Sequence, residues 1–184
     1  MARWGTFTVR GSEVVEAGIT AMIEKIVVAF EPALSDVAYR ALVMIGGYGR
    51  GEGGVLVHHG VEKPHNNFDL VLFTEGLSDD ENAALKDRLV DIARPVMDEI
   101  DMAIDLSVLS ASHVERSDCR IIWYDMRFGH KTLIGDADFV PSLDQFTVAN
   151  IPDWDARNLL VNRGTLMVIN DVLLDQAGGG DALT

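Results

Sequence analysis

Directly after the apolar run Leu42-Val43-Met44-Ile45 the chain turns to Gly46-Gly47-Tyr48-Gly49-Arg50-Gly51-Glu52-Gly53-Gly54, six glycines in nine residues. Glycine gives up more backbone freedom on ordering than any other residue, so such a segment reads as a loop that bends sharply or approaches something closely. The apolar run before it reads as a buried strand. Phe68-Asp69-Leu70-Val71-Leu72-Phe73 and Met102-Ala103-Ile104-Asp105-Leu106-Ser107-Val108-Leu109 read as two more core strands, and Lys131-Thr132-Leu133-Ile134 as a short last one. Val55-Leu56-Val57 and the segment before Pro64 suggest a hairpin turning at His58-His59-Gly60. Apolar residues at helical spacing predict helices over 13–30 after a capping Ser12, over 79–94 with a stop or kink at Pro95, and around 113–127 before Gly129. Asp153 opens a final helix to about Gln176. Helices alternating with strands argue for an α/β layer fold, a mixed sheet flanked by helices.

At 184 residues there is room for one sizeable core, and no apolar run reaches the roughly 20 residues that span a bilayer. The start of the chain lacks the apolar stretch of a secretory signal, and a single cysteine, Cys119, allows no internal disulfide. Both features suit a cytoplasmic protein. The net charge of −14 argues against a duplex nucleic-acid binder, whose affinity rests on a basic face. A small anionic substrate would need a local cation to screen it, and a bound divalent metal meets that need.

Asp69 and Asp105 are each set among apolar residues on a core strand. A carboxylate there is unfavourable unless something pairs with it. One such residue reads as a strand-end aspartate satisfied by backbone amides or an arginine. Two of them beside a glycine-rich turn make a site for an anion with a hard cation: glycine amides for phosphate, carboxylates for the metal. Two rival readings of the glycines fail. Gly49-Arg50-Gly51-Glu52-Gly53-Gly54 fits G-x-G-x-x-G, but the strand-like Val55-Leu56-Val57 follows where a dinucleotide fold needs a helix; a P-loop needs Gly-Lys-Ser/Thr, which is absent. His58, His59 and His65 read as an exposed polar hairpin, since magnesium does not favour imidazole.

The run Ile45-Gly46-Gly47-Tyr48-Gly49-Arg50-Gly51-Glu52, with Asn67-Phe68-Asp69 and Ile104-Asp105-Leu106 downstream, resembles the signature of the polymerase-β-type nucleotidyltransferase superfamily. That signature has an apolar residue before Gly-Gly or Gly-Ser, an acid-x-acid pair on the next strand, and a third acid on a later one. The resemblance covers about residues 13–136 and also takes in Gly135-Asp136, as in bacterial stand-alone members. The interval from Gly47 to Asn67 is longer than in the family, and the hairpin accounts for it. Asn67 stands where the family's metal-bridging acid belongs, offering a carbonyl oxygen but no charge.

The resemblance implies a nucleotidyltransferase fold over 1–150, followed by a C-terminal helix over 151–184 that opens a further helical domain in longer relatives. It implies transfer of a nucleoside monophosphate from a nucleoside triphosphate to an acceptor of unknown identity. Asp69 and Asp105, with Asn67 as a weaker ligand, would hold Mg²⁺ or Mn²⁺. Gly46, Gly47 and Tyr48 would meet the nucleotide, and Arg50 would neutralise charge in the transition state. The alternative is a catalytically degenerate nucleotide-binding or regulatory module, which Asn67 favours. Leu159, Leu160, Leu166, Met167, Ile169, Leu173 and Leu174 spread over more than one stripe of the last helix. One face is therefore expected to meet a second copy, in a homodimer, or a domain outside this chain. Gly178-Gly179-Gly180 reads as a frayed end.

Overall fold

The computed structural model describes residues 3–176, with side chains to 173 in the last helix. The segment Gly178–Gly180 and the side chain of Leu174 therefore lie outside the described residues. The described residues form two compact units, one of those up to 117 together with 125–144, the other of 118–124 together with those from 145.

The first unit is a mixed α/β layer. Helix α1 (Glu13–Ala33) starts where the Ser12 hydroxyl accepts from Val15 N, and its apolar stripe Val15, Ile19, Ile23, Ile26 and Phe30 is buried. Strand β1 (Tyr39–Ile45) leads into the short helix α2 (Gly46–Arg50). The hairpin β2 (Val55–His58) and β3 (Val61–Pro64) follows, then β4 (Asn67–Thr74), α3 (Asp79–Ile100) and β5 (Ala103–Ser110). After α4 (Ala111–Glu115) and α5 (Ile121–Phe128), strand β6 (Lys131–Gly135) completes a four-stranded sheet in the order β5-β4-β1-β6. Strand β1 runs antiparallel to both neighbours, whereas β4 and β5 are parallel. The parallel pair needs a crossover, and α3 provides it. Both faces of the sheet are covered: Leu42, Met44, Phe68, Leu70 and Leu72 join the core with α1 and α3, while Val43, Val71 and Phe73 are buried on the other side, where Phe73 meets Phe139. That double burial explains why the strands read as continuous apolar runs.

Three expectations are corrected. The glycine-rich segment is not all loop, because residues 46–50 form a helical turn. It ends at Gly51, whose φ of 80° closes the turn in the left-handed region, where a Cβ would be strained. Packing decides the matter over propensity, for Tyr48 and Gly49 are buried in that turn. Helix α3 does not stop at Pro95 but continues to Ile100, its buried Leu85, Leu89, Ala93 and Ile100 anchoring both sides of the proline. The helix expected over 113–127 is broken. The Ser117 hydroxyl donates to Val114 O (2.9 Å), a local bond that competes with continued helix, and Cys119, buried, lies in the break.

In the second unit Trp123 stacks on Phe146, and Cys119 Sγ lies 3.4 Å from Thr147 O. Helix α6 (Asp153–Gln176) is tied at its start, where Asp155 accepts from Ile121 N (2.8 Å) and Arg120 lies over the Trp154 ring. Among the described residues no helix is long and apolar enough to cross a membrane.

Candidate functional site

The register of β4 on β5 places Asp69 directly beside Asp105, with Asn67 beside Ala103. Side chains alternate along a strand, so Asn67 and Asp69 share the face opposite Phe68, Leu70 and Leu72. On its other side Asp69 pairs with Ile45, the residue that precedes Gly46. The two aspartates and the start of the glycine segment thus come together through strand pairing alone. Asp69 is half-buried and Asp105 exposed.

Gly46 closes the arrangement. Its φ of 68° is left-handed, and a Cβ built on it would collide with Asp69 Oδ2. A larger residue there would both strain the backbone and displace the carboxylate. Asn67 Nδ2 donates to Asp69 Oδ1 at 2.7 Å. Burial pushes the Asp69 carboxyl above its ordinary value, and Asp105 adds to the rise; the Asn67 hydrogen bond and the charge of Arg50 oppose it. The balance leaves the ionised form under-compensated, the condition in which a cation is welcome.

Arg50 has carboxylate partners of its own. Its Nε donates to Glu52 (2.8 Å), and a second guanidinium nitrogen meets Asp125. Both partners hold the guanidinium above its ordinary value, the Glu52 bond most of all. Asp125 is the one site neighbour that sequence reasoning missed, and at 75 residues from Arg50 it leaves no local signal. Asp69, Asp105, Glu52 and Asp125 together set four carboxylates against the one guanidinium of Arg50, a net negative site.

Tyr48, expected to meet the nucleotide, turns its side chain into the fold. The ring is buried edge-on to Phe68, centroids 5.0 Å apart. Its hydroxyl donates toward Gly54 O (2.6 Å) and also contacts His65 O (3.0 Å), while His65 N donates back to it at 2.9 Å. The side chain is thereby committed to the fold, and the desolvated hydroxyl is held above its ordinary pKa. His58 and His59 lie ring to ring, 4.1 Å between centroids, on the exposed hairpin.

Among the described residues no group of three or more His, Cys, Asp or Glu side chains is arranged to hold a metal. The donors at hand are two carboxylates and the Asn67 amide oxygen, whose own NH₂ is already turned to Asp69. This all-oxygen set fits one hard cation whose remaining positions are filled by water or phosphate. A separate groove of about 940 Å³ over α1 is lined by Glu13, Glu16, Thr20 and Glu24 and does not include the two aspartates. There Glu16 accepts from Phe7 N and Thr8 N, both at 2.8 Å, so it serves the fold. No family model matches the sequence, and no curated protein matches it.

Proposed function

We propose that the protein is a nucleotidyltransferase of the polymerase-β type, transferring a nucleoside monophosphate from a nucleoside triphosphate to an acceptor. The observation that carries this reading is Asp69 beside Asp105 on paired parallel strands, with Gly46 held against Asp69 Oδ2. Two carboxylates and a backbone that approaches without a Cβ suit a metal-bound phosphate chain. Asp69 and Asp105 hold the cation, and Asn67 lends its amide oxygen. A Mg²⁺ or Mn²⁺ ion bound there supplies a Lewis acid for the α-phosphate and lowers the pKa of the attacking hydroxyl. Gly46 and Gly47, opening α2, present amides with no acceptor inside the helix to the β- and γ-phosphates. Arg50, oriented by Glu52 and Asp125, offsets developing negative charge.

One observation favours a second reading, a nucleotide-binding module with little turnover. Asn67 lacks a charge, and its NH₂ already donates to Asp69 Oδ1. Two-metal chemistry needs both ions to clamp the attacking and leaving oxygens. Calorimetry of Mg²⁺-nucleotide binding to the native chain, Asn67→Asp and Asp69→Ala separates the cases. The native chain is expected to bind, Asp69→Ala to lose binding, and Asn67→Asp to bind metal more tightly. With an acceptor in hand, Asn67→Asp is expected to raise turnover about 10²- to 10⁴-fold, equivalent to roughly 3–5 kcal/mol. Equal binding by all three chains would refute the site.

A further inference from the structure

We propose that the protein self-associates through α6, which meets the same helix of a second copy in antiparallel alignment about a two-fold axis at Gly164. Every residue of α6 from 157 to 173 is exposed, though the segment is rich in apolar side chains. At about 100° per residue, Arg157, Leu160, Val161, Met167, Val168 and Asp171 all fall within roughly 60° of Gly164 around the helix. Leu160 (74 %), Val161 (65 %), Met167 (73 %) and Val168 (64 %) on this face are more exposed than the other large apolar residues of α6. Leu159, Leu166, Ile169, Val172 and Leu173 fall between 39 % and 55 %. The most water-exposed stripe is thus a defined face with a glycine at its centre.

Gly164 itself argues for close approach. Glycine in a helix interior weakens the helix relative to alanine. Among the described residues nothing beyond the helix's own neighbouring backbone lies within 4 Å of where its Cβ would be, so no contact among them requires a glycine here. A helix crossing at this point would use the missing side chain to bring two backbones together.

The charges select the partner and its direction. Arg157 lies seven residues before Gly164 and Asp171 seven after it. Antiparallel pairing about Gly164 sets each Arg157 against the second copy's Asp171, making two equivalent ion pairs from one chain's sequence. Parallel pairing would instead set Arg157 on Arg157 and Asp171 on Asp171. Among the described residues neither side chain has an ion-pair partner inside the chain. Leu160 then lies beside Met167 of the second copy, and Val161 beside its Val168, which encloses apolar surface between the charged ends. A surface complementary to itself about one axis is what a closed dimer needs.

The test is sedimentation equilibrium of the full chain across a concentration series. The native chain is expected to form dimers. Arg157→Glu and Asp171→Arg, each alone, make two repulsive contacts and are expected to weaken the dimer about tenfold in Kd. An equimolar mixture of these two variants, and the doubly reversed chain, are expected to return to native affinity. Gly164→Leu has room in the monomer and is expected to raise Kd on the order of a hundredfold while the circular dichroism stays helical. A chain that is monomeric at every concentration overturns the proposal. So does a dimer that neither single reversal weakens, since it would use another surface or a parallel alignment.

Discussion

Helices α3 and α6 are nearly equal in length, 22 and 24 residues, yet they solve opposite problems. Helix α3 is built for its own chain. Ser78 and Glu81 form a reciprocal capping box, Ser78 N donating to Glu81 at 2.8 Å, and Leu85, Leu89, Ala93 and Ile100 form one buried face. Helix α6 has apolar residues around much of its circumference, and from 157 to 173 none is buried. A stripe on one side fits one layer. Apolar residues on several sides match no single layer. The contrast teaches that helix length and apolar content do not reveal where a helix packs, whereas the arrangement around the axis does.

The sharpest way to break this comparison is to truncate a leucine in each helix. Leu89→Ala removes a fully buried side chain and is expected to cost about 2–5 kcal/mol in urea denaturation. Leu160→Ala, measured at concentrations low enough for monomer, is expected to stay within about 0.5 kcal/mol of the native chain. Equal losses would mean that α6 is buried within its own chain. A smaller effect tests the start of α3: Ser78→Ala removes half of the capping box and is expected to cost about 1 kcal/mol. In α6, Gly164→Ala is expected to stabilise the monomer by up to about 1 kcal/mol, since the added methyl meets nothing. Thermal unfolding of the dilute protein reads that gain, and a loss would mean the glycine has an intrachain role.

The smallest effect concerns pH, at His130 just before β6 and at Asp69 on β4. Burial holds the His130 imidazole below its ordinary value, so its neutral form is favoured in the folded state. The resulting stability is present above about pH 6.5 and is lost as pH falls from there. Asp69 acts with the opposite sign. Its raised carboxyl disfavours the ionised form in the folded chain, a penalty that is present at neutral pH and relieved on acidification. Asp69→Asn is therefore expected to raise the melting temperature of the metal-free protein by about 2 °C or less, given its half-exposed setting. His130→Gln is expected to flatten the stability profile between about pH 7.5 and 5.5. An Asp69→Asn variant that melts lower would show the carboxylate to be structurally needed.

Much of the layer arrangement was legible because β1 and β4 are buried on both faces, so their apolar runs stand out from a charged sequence. The hairpin could be placed from His59-Gly60, where His59 does adopt a positive φ of 50°. Pro95 misled because local propensity cannot register the buried residues that carry α3 past it. The glycine segment misled for a related reason: the entropy that disfavours helix is offset by burying Tyr48, a tertiary effect. Asp69 and Asp105 announced themselves as charges inside apolar strands, and their juxtaposition then followed from strand register. The route from Arg50 to Asp125 could not be read, because two surface charges distant in sequence carry no pattern.

The Tyr48 hydroxyl has a consequence for how this chain tolerates change. Its bonds to Gly54 O and to both backbone groups of His65, with His65 N also donating to Gly54 O at 3.1 Å, pin two points of the chain together. Between those points the hairpin leaves and returns through a single closed gate. Beyond the gate Val55 packs against the core and Glu62 accepts from Ser12 N at the surface, while the turn at His59-Gly60 stays exposed. The tip of the excursion can thus lengthen or acquire a new turn while Asp69 and Gly46 keep their register. The hairpin is the natural place to splice in a foreign sequence or a reporter, and the place where related chains have most freedom to differ.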